Sequence, residues 1–318
     1  MRKPSGKARA GPESGPLRNC QRVDAINNML SIVLITGISG SGKSLALRLL
    51  EDASYTCVDN LPVRLLHDFI AYTRETGQRH VAVAMDARSH DALDELPGVI
   101  TSLRARGTAV RVIFLDASDD ALRQRYSESR RRHPLADRLK PGAGAPSLQQ
   151  CIDAERDMLA GLREQEHVID TSDLTPGQLR AWVLELVQAD RAPVLLTFES
   201  FAYKRGVPGD ADLVFDVRCL PNPHYIAALR PLTGRDAPVA QWLSQYDAVQ
   251  HMLADIGGFI RRWLPAWVQD TRSYLTVAIG CTGGQHRSVY MCEQLARQFS
   301  DHAPVLVRHR NQPVPETP

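Results

Sequence analysis

The chain has 318 residues, and its 38 lysines and arginines nearly balance its 36 aspartates and glutamates, which leaves a formal net charge of +2. Apolar residue types make up 43% of the sequence, which is ordinary for a globular protein, and roughly 100–200 residues per domain suggests two domains. No apolar run approaches the roughly 18 residues that a membrane helix needs, so no membrane partner is expected. The six cysteines form no Cys-x-x-Cys pair, which argues against a disulfide framework or zinc site and favours a cytoplasmic protein.

The first 28 residues differ in composition from the rest of the chain. They are rich in Arg, Lys, Gly, Pro and Ser and contain no apolar core. They therefore predict a disordered extension rather than a secretory signal peptide, which needs an apolar segment. Translation from Met29, just before the first predicted strand, is the alternative.

From Met29 onward, short β-branched runs alternate with amphipathic segments. Strands are predicted at 31–36, 55–58, 81–85, 110–115, 168–169, 194–198, 213–217, 275–279 and 305–308. Helices are predicted at 43–51, 61–72, 92–106, 121–132, 148–162, 176–187 and 286–299, and two more contain Trp242 and Trp263. Residues 140–146 and the Pro-rich tail from Asn311 are predicted to be loose surface segments.

This alternation is typical of an α/β fold with parallel sheets covered by helices. Residues 29–190 are predicted to form a first domain and residues 191–318 a second α/β domain.

A glycine-rich loop follows the first predicted strand and opens a helix. It reads Gly37-Ile38-Ser39-Gly40-Ser41-Gly42-Lys43-Ser44, which matches the P-loop pattern G-x-x-x-x-G-K-[ST]. In such a loop the backbone N–H groups and the helix N-terminus surround phosphate oxygens. Lys43 is expected to reach the β- and γ-phosphates, and the Ser44 hydroxyl to ligate Mg²⁺.

Three aspartates end predicted strands near this loop and are candidates to organise the magnesium ion. Asp116 has the Walker B form because it closes an apolar strand, while Asp59 and Asp86 occupy similar positions. The basic run from Arg123 to His133 is either a lid over the phosphates, a solvated helix face or an RNA contact.

A second loop of this kind lies in the other domain. It reads Gly280-Cys281-Thr282-Gly283-Gly284-Gln285-His286-Arg287-Ser288. Three interpretations stay open: a plain strand–helix connection, a phosphatase with Cys281 as thiolate nucleophile, and non-catalytic binding of a phosphorylated metabolite. A phosphatase also needs a general acid, for which Asp212 and Asp216 are candidates.

Several further strings carry a resemblance to a known family. They are Cys57-Val58-Asp59-Asn60-Leu61-Pro62, Arg132-His133-Pro134-Leu135, Phe198-Glu199-Ser200-Phe201, Leu220-Pro221-Asn222-Pro223-His224-Tyr225 and Leu229-Arg230-Pro231-Leu232-Thr233-Gly234. With the two glycine loops, they make the chain resemble the RapZ family of bacterial nucleotide-binding proteins, also called RNase adapter proteins, over roughly residues 29–310.

The resemblance implies ligands for both domains. The first would look like a P-loop kinase domain that binds ATP or GTP with Mg²⁺ and hydrolyses them weakly at most, with a GTP site at Asp86, Ala87, Arg88 and Ser89. The second would be similar to a sugar-phosphate-kinase subdomain that binds glucosamine-6-phosphate. The sugar-phosphate contacts implied are Asp216, His224, Cys281, Thr282, Gly283, Gly284 and Arg287.

The resemblance also implies partners: a small regulatory RNA, ribonuclease E, and further copies of the chain in a tetramer. One departure weakens the RNA expectation. Arg308-His309-Arg310 is present, but Gln312 and the residues after it replace the basic cluster that ends RNA-binding members. A regulatory binding protein is thus the main hypothesis, with a small-molecule kinase and a phosphatase as rivals.

Overall fold

The computed structural model describes residues 30–86, 95–137, 139, 145–188, 194–269, 274–301 and 304–312. The predicted extension, the candidate nucleotide residues Ala87, Arg88 and Ser89, and most of the predicted loop at 140–146 lie outside these residues. The strands are β1 (Ser31–Gly37), β2 (Thr56–Val58), β3 (His80–Ala84), β4 (Ala109–Asp116), β5 (His167–Asp170), β6 (Leu195–Ala202), β7 (Leu213–Asp216), β8 (Tyr274–Cys281) and β9 (Val305–His309).

Helices connect these strands. They are α1 (Lys43–Asp52), α2 (Leu66–Glu75), α3 (Leu96–Ala105), α4 (Asp119–Ser129), α5 (Leu148–Gln165), α6 (Pro176–Gln188), α7 (Ala237–Ser244), α8 (Asp247–Gln269) and α9 (Arg287–Phe299). In the part of the chain that is described, none of them is both long and apolar enough to cross a membrane.

Two parallel sheets organise the described residues. The first has the strand order β2-β3-β1-β4-β5 and the second the order β7-β8-β6-β9, and every recorded pairing is parallel. The predicted α/β fold with parallel sheets is confirmed. Because crossover connections leave all carboxyl strand ends at one edge, each glycine loop lies at such an edge.

Both faces of the first sheet are buried. Ile32, Leu34 and Phe114 pack on one face against α2, α3 and α5, whereas Val33 and Ile35 pack on the other against α1 and α6. The near-continuous apolar runs of β1 and β4 reflect this burial on two sides. The cluster on the α1 side also includes Leu195 of the second sheet, so the two sheets share apolar contacts.

One helix prediction was too long at a place that matters for the site. The helix predicted at 121–132 ends at Ser129, because Arg130 adopts a left-handed conformation with φ 52°. The chain then turns so that His133 becomes buried against α5. Arg131 and Arg132 therefore project from a loop and not from a helix face.

The tail prediction was also wrong in part. Asn311 and Gln312 are not loose. Gln312 is 8% exposed, its side-chain amide donates to the Gly284 carbonyl, and its main-chain carbonyl accepts from Gln178. The remaining tail, from Pro313, lies outside the described residues.

Candidate functional site

The first loop has the backbone geometry of a phosphate cradle. Gly37 has φ +130°, and a Cβ there would lie 1.9 Å from the carbonyl oxygen of Leu115, so only glycine fits. The Lys43 Nζ donates a 2.6 Å hydrogen bond back to the Gly37 carbonyl. The Ser41 hydroxyl is buried without a hydrogen-bond partner among the described residues. A loop with a free hydroxyl donor beside a lysine suits phosphate oxygens.

A cavity of about 500 Å³ opens above this loop. The P-loop residues Lys43 and Ser44 line it together with Arg131 and Arg132. The basic run after α4 thus faces the cavity, as the lid interpretation requires. Charge of this sign favours a polyphosphate ligand.

Arg125 of α4 has a different position from the lid arginines. Its guanidinium donates to the Gly40 carbonyl at 3.2 Å and to the Thr171 carbonyl at 2.6 Å. It therefore braces the P-loop against the end of β5.

Asp86, at the end of β3, is the strand-end acid nearest to the lysine. Its Oδ1 lies 3.2 Å from the Ser39 hydroxyl oxygen and 3.9 Å from Lys43 Nζ. It lines the same cavity as Ser44. A hydroxyl and a carboxylate at one cavity are the donor set that Mg²⁺ takes beside phosphate oxygens.

Asp116, which has the Walker B form, does not serve that role. Its two carboxylate oxygens accept hydrogen bonds from Arg156 and Arg163 at 2.9 Å each, and its Oδ1 also accepts from the Ala117 N–H. Two arginines of α5 neutralise it, so it is a structural ion-pair centre. Asp59 instead lines an adjoining cavity with Ser44.

Sequence reasoning missed Glu155, a fully buried carboxylate behind the P-loop. It accepts the Ser39 N–H at 2.8 Å and the Ser39 hydroxyl at 2.7 Å. Its Oε2 also lies 3.2 Å from Nε2 of His133, and the Leu135 N–H donates to His133 Nδ1. The imidazole proton thus lies on Nε2, and Glu155 links the P-loop to the lid segment. Its only signal in the sequence was a charged residue on the apolar face of a predicted helix.

The second loop wraps around the sulfur of Cys281. The Gly284 N–H donates to Sγ at 3.2 Å, and the Ser288 hydroxyl lies 3.1 Å from it. Burial raises the pKa of Cys281, but the hydrogen bonds of Ser288 and Gly284 and the charge of Arg287 outweigh it, so that the pKa lies below its ordinary value. The loop therefore stabilises negative charge at its centre.

Arg287 begins α9 beneath the loop and is only 5% exposed. Its Nη1 donates to the carbonyls of Arg218 and Leu220 at 2.7 and 3.0 Å, and its Nη2 lies 3.3 Å from the Thr282 hydroxyl. Its Nε is buried and has no hydrogen-bond partner among the described residues. The Nε–H is thus left for an anion.

The other predicted sugar-phosphate residues surround this loop unevenly. Asp216 pairs with Gly280 in the sheet register, and its carboxylate accepts hydrogen bonds from the Arg218 backbone N–H at 2.9 Å and from the Arg218 guanidinium at 2.9 Å and 2.7 Å. The hydrogen bonds of the Arg218 side chain are the main reason why the pKa of Asp216 lies below its ordinary value, and burial opposes them. His224 is exposed, and its ring centroid lies 6.4 Å from that of His286 at the start of α9.

Asp212 lies at the opposite end of the second sheet. Its carboxylate accepts the N–H of Thr276 at 2.7 Å, near the beginning of β8, whereas Cys281 is at its end. At about 3.3 Å per residue, this separation removes Asp212 as a candidate general acid for Cys281.

A five-stranded parallel sheet with a G-x-x-x-x-G-K-S loop between its central strand and a helix defines a P-loop nucleotide-binding protein. A profile of the RapZ-like N-terminal domain matches residues 30–191, and a profile of the RapZ C-terminal domain matches residues 194–313. The chain belongs to the RapZ family, as the sequence motifs indicated.

Bacterial relatives match nearly the whole chain. A nucleotide-binding protein of Bordetella petrii is 70% identical over 284 residues, which cover 89% of this chain and 98% of the relative. One of Bordetella pertussis is 70% identical over 290 residues, which cover 91% of this chain and 100% of the relative.

Solved structures match only about half of the chain. A sugar kinase from Janibacter sp. HTCC2649 has 16% identity and a TM-score of 0.35, and covers 50% of this chain and 94% of that one. Shikimate kinase from Bacteroides thetaiotaomicron has 16% identity and a TM-score of 0.33, and covers 49% and 96%. At these values the likeness carries no information about a substrate.

Proposed function

We propose that the protein is a metabolite-sensing regulator that binds ATP or GTP with Mg²⁺ at the P-loop and glucosamine-6-phosphate at the second loop. The binding of glucosamine-6-phosphate is inferred from Arg287, which lies beneath the second glycine loop. Its Nε is buried and has no hydrogen-bond partner among the described residues. A buried donor of this kind is costly unless a ligand accepts from it. A phosphate oxygen is the acceptor that suits guanidinium best.

At the nucleotide site, the proposed roles follow from the position of each group. Lys43 contacts the β- and γ-phosphates, and the exposed Ser44 hydroxyl with Asp86 holds Mg²⁺. Arg131 and Arg132, which line the same cavity as Lys43, close over the phosphates. Hydrolysis is expected to be weak at most.

At the second site, Thr282, Gly283 and Gly284 together with Arg287 would bind the phosphate. Asp216 is ionised at neutral pH because of its low pKa, so it can attract the protonated amine of the sugar. That requires the amine to share the carboxylate with Arg218. His224, exposed beside His286, is available for a sugar oxygen.

A phosphatase is the second candidate function, because the lowered pKa of Cys281 favours a thiolate nucleophile. Two observations weigh against it. Cys281 is 3% exposed, and Asp216, the acid at this end of the sheet, is too acidic to hold a proton for the leaving group. Binding without turnover is therefore the better proposal.

Isothermal titration with glucosamine-6-phosphate tests the proposal, beside glucose-6-phosphate and glucosamine as probes of the amine and the phosphate. We expect wild-type binding to be lost in Arg287→Ala, which removes the guanidinium, and kept in Lys43→Ala, which affects the other loop. Titration with ATP and GTP should give the reverse pattern. No wild-type binding of either class would overturn the proposal.

Turnover assays separate the two rivals. A phosphatase predicts phosphate release that Cys281→Ser abolishes and Lys43→Ala preserves. A small-molecule kinase predicts stoichiometric, substrate-stimulated ADP production that Lys43→Ala abolishes. The binding proposal predicts little of either product.

We extend the proposal to an adapter that presents a small RNA to ribonuclease E from a homo-oligomer. Arg308 and Arg310, the basic residues left in the tail, are 1% and 6% exposed and cannot contact RNA phosphates where they lie. The exposed arginines of α8, Arg261 and Arg262, are better placed. A mobility-shift assay in which Arg262→Ala reduces RNA binding and its salt dependence supports this extension, and no shift at low salt contradicts it.

A further inference from the structure

Three residues that follow β9, Arg310, Asn311 and Gln312, form what we call the tail strap. Gln312 Nε2 donates to the Gly284 carbonyl at 3.2 Å. Asn311 packs closely on Gly284: a Cβ added to Gly284 would lie 2.6 Å from Asn311 Oδ1. The strap therefore holds Gly284, the residue of the second loop whose N–H donates to Cys281 Sγ.

The same strap is bound to the first sheet and its helices. Gln178 of α6, 6% exposed, donates from Nε2 to the carbonyls of Arg310 and Gln312 at 2.8 and 3.3 Å. Arg310 donates from Nη2 to the Asp170 carbonyl at 3.0 Å. These contacts join residues more than 130 positions apart in the chain.

The next residue after Asp170 is bonded directly to the P-loop. The Thr171 hydroxyl donates to the Ser41 carbonyl at 2.8 Å, and Arg125 bridges the Gly40 carbonyl and the Thr171 carbonyl. Hydrogen bonds and adjacent chain residues thus connect the P-loop through Thr171, Asp170 and the tail strap to Gly284.

We propose that the tail strap couples the two loops, so that a nucleotide at the P-loop raises the affinity of the second loop for its phosphorylated ligand. This inference rests on the proposed function, because it assumes an anion at each loop. Phosphate binding orders the Gly40 and Ser41 carbonyls and, through Thr171 and Arg310, restricts the strap against Gly284. The second anion then meets a loop that has already lost part of its conformational freedom, which gives positive coupling.

Hydrogen exchange tests the coupling without any ligand at the second loop. Adding Mg²⁺ and the non-hydrolysable analogue AMP-PNP to the wild type should slow exchange in peptides from the P-loop and also in those covering 281–288. Gln312→Ala should keep the slowing at the P-loop and lose it at 281–288. Gln178→Ala removes the hydrogen bonds from α6 to the strap and should give the same result as Gln312→Ala. Gln241 is an exposed glutamine of α7, and Gln241→Ala should match the wild type.

Titration gives the energetic readout. Glucosamine-6-phosphate should bind the wild type about fivefold or more tightly when Mg²⁺–AMP-PNP is present, a typical coupling between two sites. The ratio should fall to one in Gln312→Ala.

Wild-type binding of the sugar phosphate that ignores the nucleotide, with no change at 281–288, would overturn the coupling and leave the proposed function standing. Coupling that persists in both glutamine variants would overturn the role of the strap. An unprotected P-loop would remove the nucleotide site itself, and the coupling with it.

Discussion

Two neighbouring glycines of the second loop differ in the space available for a side chain. Gly284 has φ +66°, and a Cβ there would meet Asn311 Oδ1 at 2.6 Å and Ala202 Cβ at 3.1 Å. Gly283 has open space around the position of a Cβ. Gly284 is thus required by the fold, whereas Gly283 leaves its face open to a ligand.

A matched pair of substitutions separates these roles. Gly284→Ala should lower the free energy of unfolding by about 1–3 kcal/mol, because it combines a strained φ with a steric clash. Gly283→Ala should change stability by less than about 1 kcal/mol yet weaken sugar-phosphate binding, because its methyl group occupies the open face. Urea denaturation and titration measure the two effects. Equal losses of stability would contradict the assignment.

At the scale of elements, α5 joins the nucleotide site to the edge of the first sheet. Arg156 and Arg163 are seven positions apart and lie on one helix face, from which both reach Asp116. Glu155 lies on the neighbouring buried face and reaches Ser39. One helix therefore holds the P-loop and neutralises the acid that ends β4.

Glu155→Gln should weaken nucleotide binding about tenfold and lower the free energy of unfolding by about 1–3 kcal/mol. The two Ser39 donors bond different oxygens of Glu155, and glutamine has only one oxygen to accept them. Fluorescent nucleotide titration and urea denaturation measure these changes. Glu164→Gln, at an exposed position of the same helix, is the matched control and should resemble the wild type. An unchanged affinity in Glu155→Gln would show that the P-loop does not depend on this carboxylate.

At the scale of the whole molecule, a buried charge cluster joins the two sheets. Arg310 lies 3.0 Å from Glu199 and 3.6 Å from both Asp170 and Asp210. Burial and, next, the charge of Glu199 raise the pKa of Asp210 to about 7, against the opposing charge of Arg310. Arg310 is pinned by these carboxylates, and its pKa is raised although burial alone would lower it.

This pKa has a consequence for stability with a definite sign. The raised pKa means that the folded protein holds the Asp210 proton up to about pH 7, whereas the unfolded chain releases it near pH 4. The stabilisation of the folded protein by the Asp210 proton is therefore fully present below about pH 4. It is lost as the pH rises through about 7. Asp170, whose pKa is lowered, titrates below that window.

Asp210→Asn removes this titration while it keeps an acceptor for the Asp170 N–H. The wild type should lose about 2–3 kcal/mol of its free energy of unfolding between pH 5 and pH 8 through Asp210, and the variant should not. The variant therefore gains that amount relative to the wild type over this range. Urea denaturation at the two pH values measures the difference, with Asp301→Asn, at an exposed position, as the control. A difference that does not vary with pH would contradict the raised pKa.

The sequence predicted local structure well where a local cause produces it. The β-branched runs of β4 and β8 identified strands, and the spacing of Gly37, Gly42 and Lys43 identified the phosphate loop, because backbone conformation depends on near neighbours. It failed where a distant group competes. The Walker B pattern pointed to Asp116, but two arginines some forty residues later occupy that carboxylate.

The sequence by itself therefore determined the α/β class, the two glycine loops and the family, since these depend on hydrophobic periodicity and on residues adjacent in the chain. Only the tertiary structure decided which strand-end acid faces Lys43, that Glu155 supports the P-loop, that Arg308 and Arg310 are buried, and that Gln312 is buried instead of loose. The physical reason is that charge pairing and burial depend on distance in space. In this fold the contacts that decide them join residues separated by as many as 141 positions.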